Sequence, residues 1–123
     1  MEVTDKVLTD VRNFLNIDST SKVFDSEIIP HIMSAVGRLF QNGAGSPTSI
    51  NDDTTWSDII PSTMLDNEEV FAMIPLYVML STKVIFDPPP PSLVEYYKSM
   101  LDENLWRLRF VYDTNVGGDI NDK

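Results

Sequence analysis

Phe86-Asp87-Pro88-Pro89-Pro90-Pro91-Ser92 is the stretch that decides the fold. It closes one apolar segment and opens another within a few residues. Proline has no amide hydrogen to donate and pushes the preceding residue out of the α region. Four in succession form a stiff, extended link. Ser92-Leu93-Val94-Glu95 then has the pattern of a capping box. In that motif the Ser92 hydroxyl accepts from the Glu95 amide, and the Glu95 carboxylate accepts from the Ser92 amide. Such a cap contributes about 1 kcal/mol. The segment therefore sets the angle between two long helices, which suits a rigid part of an assembly better than a flexible catalyst.

Working outward, the spacing of apolar residues predicts four helices. Downstream of the turn, Leu93, Tyr97, Met100, Leu101, Leu105, Leu108 and Tyr112 mark one face of a last helix from about Leu93 to Tyr112. Lys98 and Asp102 can pair there at i,i+4. Upstream, Asp66 can cap a third helix, with Glu69 in the box position. Its apolar residues, from Val70 through Met73, Ile74, Tyr77 and Val78 to Phe86, leave little polar surface. It should therefore be central and buried on most sides, with a kink at Pro75. A second helix should start near Asp25 or Ser26 and end before Gly43, with Ile28, Ile29, Ile32, Met33, Val36, Leu39 and Phe40 inward. Its small residues Ser34, Ala35 and Gly37 suit close helix packing. A first helix, capped by Thr4 or Asp5, should run to about Asn16 on the stripe Val7, Val11, Phe14 and Leu15.

Between the second and third helices, residues 43–65 form a long irregular segment without a Lys or Arg. Such loops are uncommon in compact domains unless they have a job. A short helical turn over Trp56–Ile60 is expected within it. No strand alternation and no internal repeat is present. The fold class is all-α: a bundle of about four helices with one long loop between helices two and three. The organisation is one helical domain, 1–113, and a polar tail, 114–123, that should be disordered alone.

Composition narrows the function. The 123 residues carry a formal net charge of −10, so binding along the outside of a nucleic acid, which needs a basic face, is not expected. With no cysteine, disulfides and thiolate chemistry are excluded. Met1–Asp5 lacks the basic and apolar regions of a signal peptide. Val70–Leu80 is shorter than the roughly 20 residues of a membrane span and contains Pro75, so no membrane partner is expected. His31 is the only histidine and reads as a surface or satisfied side chain. Asp52, Asp53 and Asp58 lack the spacing of a calcium loop. Glu68-Glu69 and Asp102-Glu103 are helix neighbours about 100° apart and make no acid–base dyad. No metal or cofactor site and no enzymatic activity is expected.

Two tryptophans remain. Trp56 in the acidic loop, with Ile59 and Ile60, is an anchor candidate for a partner. Trp106 reads first as a core side chain, but it lies on the flank of the last helix's apolar stripe, where that helix would meet a neighbouring subunit, and so is a second partner candidate.

These pieces, in their order, resemble the head–tail connector, or head-completion adaptor, proteins of long-tailed double-stranded DNA bacteriophages. The resemblance rests on Phe14-Leu15-Asn16-Ile17-Asp18, Asp25-Ser26-Glu27-Ile28-Ile29, Ile32-Met33-Ser34-Ala35, Thr55-Trp56-Ser57-Asp58, Val84-Ile85-Phe86-Asp87-Pro88-Pro89 and Leu105-Trp106-Arg107-Leu108. It covers most of residues 3–112. It implies a structural virion protein at the capsid–tail junction, made in the bacterial host cytoplasm. The subunit would form a homo-oligomeric ring, usually of twelve copies, between the portal and a stopper or tail-terminator neck protein. Double-stranded DNA would pass through the ring without specific binding. Pro75 and the fourth proline of the turn depart from the common pattern. Under this reading Arg107, Arg109, Tyr112 and the tail are the candidate portal contact. Asp52, Asp53 and Asp58 are the candidates for a channel lining that repels phosphate. Two competing readings are a small acidic DNA mimic or regulatory protein that fills a basic cleft, and a host helical adaptor.

Overall fold

The computed structural model describes residues 6–42, 49–60, 64 and 67–112, with side chains described to residue 110. It contains five α-helices among the described residues: α1 (Val7–Phe14), α2 (Asp25–Gln41), α3 (Trp56–Ile59), α4 (Glu68–Phe86) and α5 (Pro91–Tyr112). The four expected helices are α1, α2, α4 and α5, and α3 is the expected turn inside the long loop. The fold is an all-α bundle.

The centre is α4. Six successive residues, Tyr77 to Thr82, are all buried. Successive helical residues step by about 100°, so six of them sweep more than a full turn. At that level α4 is enclosed on every side, and α1, α2 and α5 all pack against it. By length and composition alone the whole of α4 could cross a membrane, although its apolar run Val70–Leu80 is too short to do so. Enclosure by three helices accounts for that composition. The Thr82 hydroxyl donates to the Val78 carbonyl at 2.9 Å, which satisfies it within the helix. Pro75 sits inside α4 without ending it.

Helix ends differ from the sequence reading in three places. Asn67 caps α4, its side-chain oxygen accepting from the Glu69 and Val70 amides at 3.0 and 3.1 Å. Asp66, the expected cap, lies outside the described residues, as do Thr4, Asp5, Gly43, Gly45 and the tail. The Ser92–Glu95 capping box is displaced, because α5 starts two residues earlier than Leu93, at Pro91. The Pro90 carbonyl accepts from the Leu93 amide at 2.8 Å, and Pro91 takes the first helical position, where its missing donor is no loss. At the end of α1, Asn16 adopts φ 63°. Its amide donates to Asn13 O and the Ile17 amide to Arg12 O, the paired bonds of a Schellman cap.

Both α2 and α5 run antiparallel to α4. Phe24 before α2 meets Phe86 at the end of α4 edge-on, at 5.4 Å between ring centroids. The proline link returns α5 antiparallel to α4. The long loop is integral to the bundle: the Val7 amide donates to the Thr54 carbonyl at 3.1 Å, and Ile50, Trp56, Ile59, Ile60 and Met64 join the core.

On α2, Ile28, Ile32, Ala35, Val36 and Leu39 face the core as expected. Met33 and Phe40 do not; they are 48% and 53% exposed. Gly37 does not serve close packing either, since an added Cβ there would meet nothing within 4 Å. Gly37→Ala should therefore raise the stability of the isolated subunit by about 1 kcal/mol through helix propensity. Chemical denaturation of the two proteins checks this, and a loss of stability would mean that the site is packed after all.

Candidate assembly surface

Trp56, Ile59 and Ile60 are not surface anchors. Trp56 and Ile59 are fully buried and Ile60 nearly so. Trp56 Nε1 donates to Asp10 Oδ2 at 2.7 Å, and Asp10 is itself buried on α1. The acidic loop invited the surface reading. Its backbone is pinned by Thr54, whose hydroxyl donates to the Ser49 carbonyl at 2.9 Å and accepts from the Asn51 amide. That pinning turns the indole inward.

The three loop carboxylates have different situations. Asp58 completes a capping box on α3, accepting from the Thr55 amide at 2.9 Å. Asp52 accepts from Lys22 Nζ at 2.7 Å and from Arg12 Nη2 at 3.1 Å. Arg12, buried on α1, also holds Asp25 at 2.7 Å and donates to the Ser19 carbonyl. One guanidinium thus ties α1, the start of α2 and the long loop together. Asp53 is exposed, and its backbone amide donates to Asn51 Oδ1.

These contacts move the titrations. The hydrogen bond from Lys22, then that from Arg12, hold the Asp52 carboxyl below its ordinary value of 3.8. Asp52 in turn holds Lys22 above 10.5. Burial opposes the charge on Arg12, but the hydrogen bonds with Asp25 and Asp52 more than offset it and hold Arg12 above its ordinary value. Asp18 is lowered by the Thr20 hydroxyl and amide.

The last helix presents what the sequence placed at a subunit contact. Trp106 is 66% exposed and Phe110 61%. Their rings stack at 6.0 Å with planes 11° apart. Both lie about 160 to 200° around α5 from Leu108, which is buried against the bundle. Tyr96 continues the same outward face. Arg107 and Arg109 flank the stack and are exposed. Arg107 is 3.9 Å from Glu103, a loose surface pair of little worth. Sequence reading missed Phe110, although its i+4 spacing from Trp106 was the available signal. The side chain of Tyr112 lies outside the described residues. Lys98 approaches Glu95 at 4.0 Å rather than Asp102.

A groove of about 370 Å³ opens between α2, α4 and α5, lined by Arg38, Tyr77, Ser81, Ile85 and Lys98 among others. Arg38 Nε donates to the Tyr77 hydroxyl at 3.1 Å, and Nη1 donates to the Ser34 hydroxyl at 3.0 Å. Ser81 Oγ and Asn104 Nδ2 are the two buried side-chain atoms without a partner among the described residues. No cluster of metal-ligating side chains occurs among the described residues.

An enclosed helical core, a pinned loop and an exposed aromatic stack on α5, beside Glu69 of α4, are the features of a small structural subunit. Residues 7–115 match the family model described as phage connector protein, and the chain belongs to that family. No curated protein and no solved structure matches it. The family is a structural one, and it makes the chain a virion component of the head–tail junction.

Two outcomes follow from these contacts. Trp56→Phe removes the donor to a buried carboxylate and should cost about 1–3 kcal/mol, read by chemical denaturation. Asp52 has a lowered folded-state pKa, so its contribution is present above the ordinary carboxyl value and is lost as pH falls through the lower, folded one. The stability gap between wild type and Asp52→Asn should therefore close on acidification from about pH 7 to about pH 2. A gap that persists at the acid end would show that the carboxylate charge is not what stabilises.

Proposed function

We propose that copies of this chain close into a ring, twelve in number as the resemblance implies, that joins the portal to the next neck protein and continues the DNA channel. The observation that carries this reading is the stacked Trp106–Phe110 pair on the outer face of α5. These two large aromatic side chains are each more than half exposed on one helix, and that apolar surface carries a solvation cost. Covering them on assembly recovers that cost, and tryptophan is enriched among residues that dominate interface energetics. Arg107 and Arg109 beside them provide the polar rim of the same contact.

The acidic balance fits a channel. A net charge of −10 repeated around a pore repels phosphate and lets DNA slide without sticking. Asp53 is the strongest lumen candidate of the three loop carboxylates, because Asp52 is engaged by two cations and Asp58 by a helix cap. A DNA mimic needs ranks of carboxylates held outward, and here Asp10, Asp25 and Asp52 are bound to the protein's own donors.

Particles assembled with and without this protein should differ by one layer below the portal in electron-microscopy projections, and heads lacking it should lose DNA. An unchanged neck and retained DNA would overturn the proposal.

A further inference from the structure

The chain has four arginines among nineteen acidic side chains, yet one half-buried arginine has no acid beside it. Arg12 and Arg107 lie 2.7 and 3.9 Å from a carboxylate. Arg109 has none among the described residues, but it is exposed to solvent. Arg38 is half-buried on α2, and no carboxylate among the described residues is at ion-pair distance from it. Its Nε donates to the Tyr77 hydroxyl and its Nη1 to the Ser34 hydroxyl, which leaves Nη2 without a partner among the described residues. Two neutral hydroxyls thus fix the fork in place, and a partly desolvated cation is stabilised by an anion. Arg38 lines the groove of about 370 Å³ between α2, α4 and α5. Apolar walls come from Ile85 on α4 and from Leu101 and Leu105 on α5. Ser81 is part of the wall, 3% exposed, and its hydroxyl has no partner among the described residues. At the rim, Lys98 is held only loosely by Glu95, at 4.0 Å, and Asp102 is exposed. The groove therefore carries two cations to one carboxylate, in a chain where acids outnumber bases nineteen to nine.

We infer that this groove receives a short acidic segment of a partner protein: an aspartate or glutamate with an apolar side chain next to it. The carboxylate accepts from Arg38 Nη2, where charge-assisted bonds are strong. The apolar side chain lies along Ile85, Leu101 and Leu105. A main-chain N–H or C=O of the segment supplies the hydrogen bond that the Ser81 hydroxyl lacks, a bond costly to leave unmade. Asp102 at the rim selects a singly charged carboxylate over a phosphate dianion, which it repels more strongly. The occupant is a protein segment and not a free small molecule, because pockets for the latter enclose roughly 70–90% of the ligand. This groove is open at its edge, where Ile85 is 51% exposed. A segment anchored in its own protein needs less cover, since its effective concentration at the groove is already high. The site stands whether or not copies of the chain close into a ring.

The test uses the full-length protein and an acetylated, amidated five-residue peptide with a central glutamate between leucines. In two-dimensional NMR titrations, saturable shifts should map to Tyr77, Ser81, Ile85 and Leu101, with a Kd below about 1 mM. Changing the peptide's glutamate to glutamine, or its leucines to glycines, should weaken binding about tenfold or more. Arg38→Gln should abolish binding, and Arg38→Lys, which keeps the charge but loses the planar fork, should restore it only in part. Because Arg38→Gln also leaves the Tyr77 hydroxyl without its donor, a pair of variants at the half-exposed Ile85 separates binding from folding. Ile85→Glu and Ile85→Lys remove the same apolar surface, and the first should bind about tenfold or more weakly than the second. The proposal is overturned by no saturable binding up to about 5 mM peptide, by shifts that map elsewhere on the bundle, or by equal affinity for the glutamine peptide. Equal binding by the two Ile85 variants would overturn it as well.

Discussion

Enclosure of α4 is the constraint on which the rest of the structure depends. A helix apolar around its whole circumference cannot lie at a surface, so other helices must surround it. Here α1, α2 and α5 do so. Burying one Leu- or Ile-sized side chain contributes about 1.5–3 kcal/mol, and α4 buries several beside Ile74, Val78 and Leu80. The proline link then limits where α5 can lie. Pro91 begins the helix at once, and the short connector leaves only an antiparallel return along α4.

Polar contacts do a different job. The core could collapse without them, but the long loop could not be placed. Asp10 selects the orientation of the Trp56 indole, and Arg12 selects where residue 52 lies relative to the start of α2. Each is a buried group whose loss would leave a partner unsatisfied, so each specifies one arrangement more than it adds net stability. A loop of this length, without basic residues of its own, is held by cations from elsewhere in the chain.

The helices differ in what they give to the core. Of the described α5 side chains only Asn104 and Leu108 are buried, and Asn104 Nδ2 lacks a partner among the described residues. The α4–α5 seam is accordingly less dry and less fully satisfied than the interior around Ile28, Ile32 and Val78. Much of the apolar content of α5 faces outward, as does part of that of α2. The interior makes the body rigid, and the rest of the described apolar side chains of these two helices stay at least partly exposed.

Helix periodicity, the proline turn and the absence of strand alternation were legible in the sequence, because local spacing alone encodes them. So was the central place of α4, since no helix side was left polar; Trp106, which size alone would place in a core, is exposed off the Leu101–Leu105–Leu108 stripe. The placements of Trp56, Ile59 and Ile60, and of Met33 and Phe40, went the other way. An indole between carboxylates looks exposed until the buried carboxylate of Asp10, far off in the chain, accepts its hydrogen. A helix face looks buried until one knows which neighbours reach it. The sequence by itself determined the elements and the acidic, cysteine-free chemistry, because those depend on residues close together in the chain. Only the tertiary structure decided which apolar residues are used up inside and which are left over, because that depends on where distant segments meet.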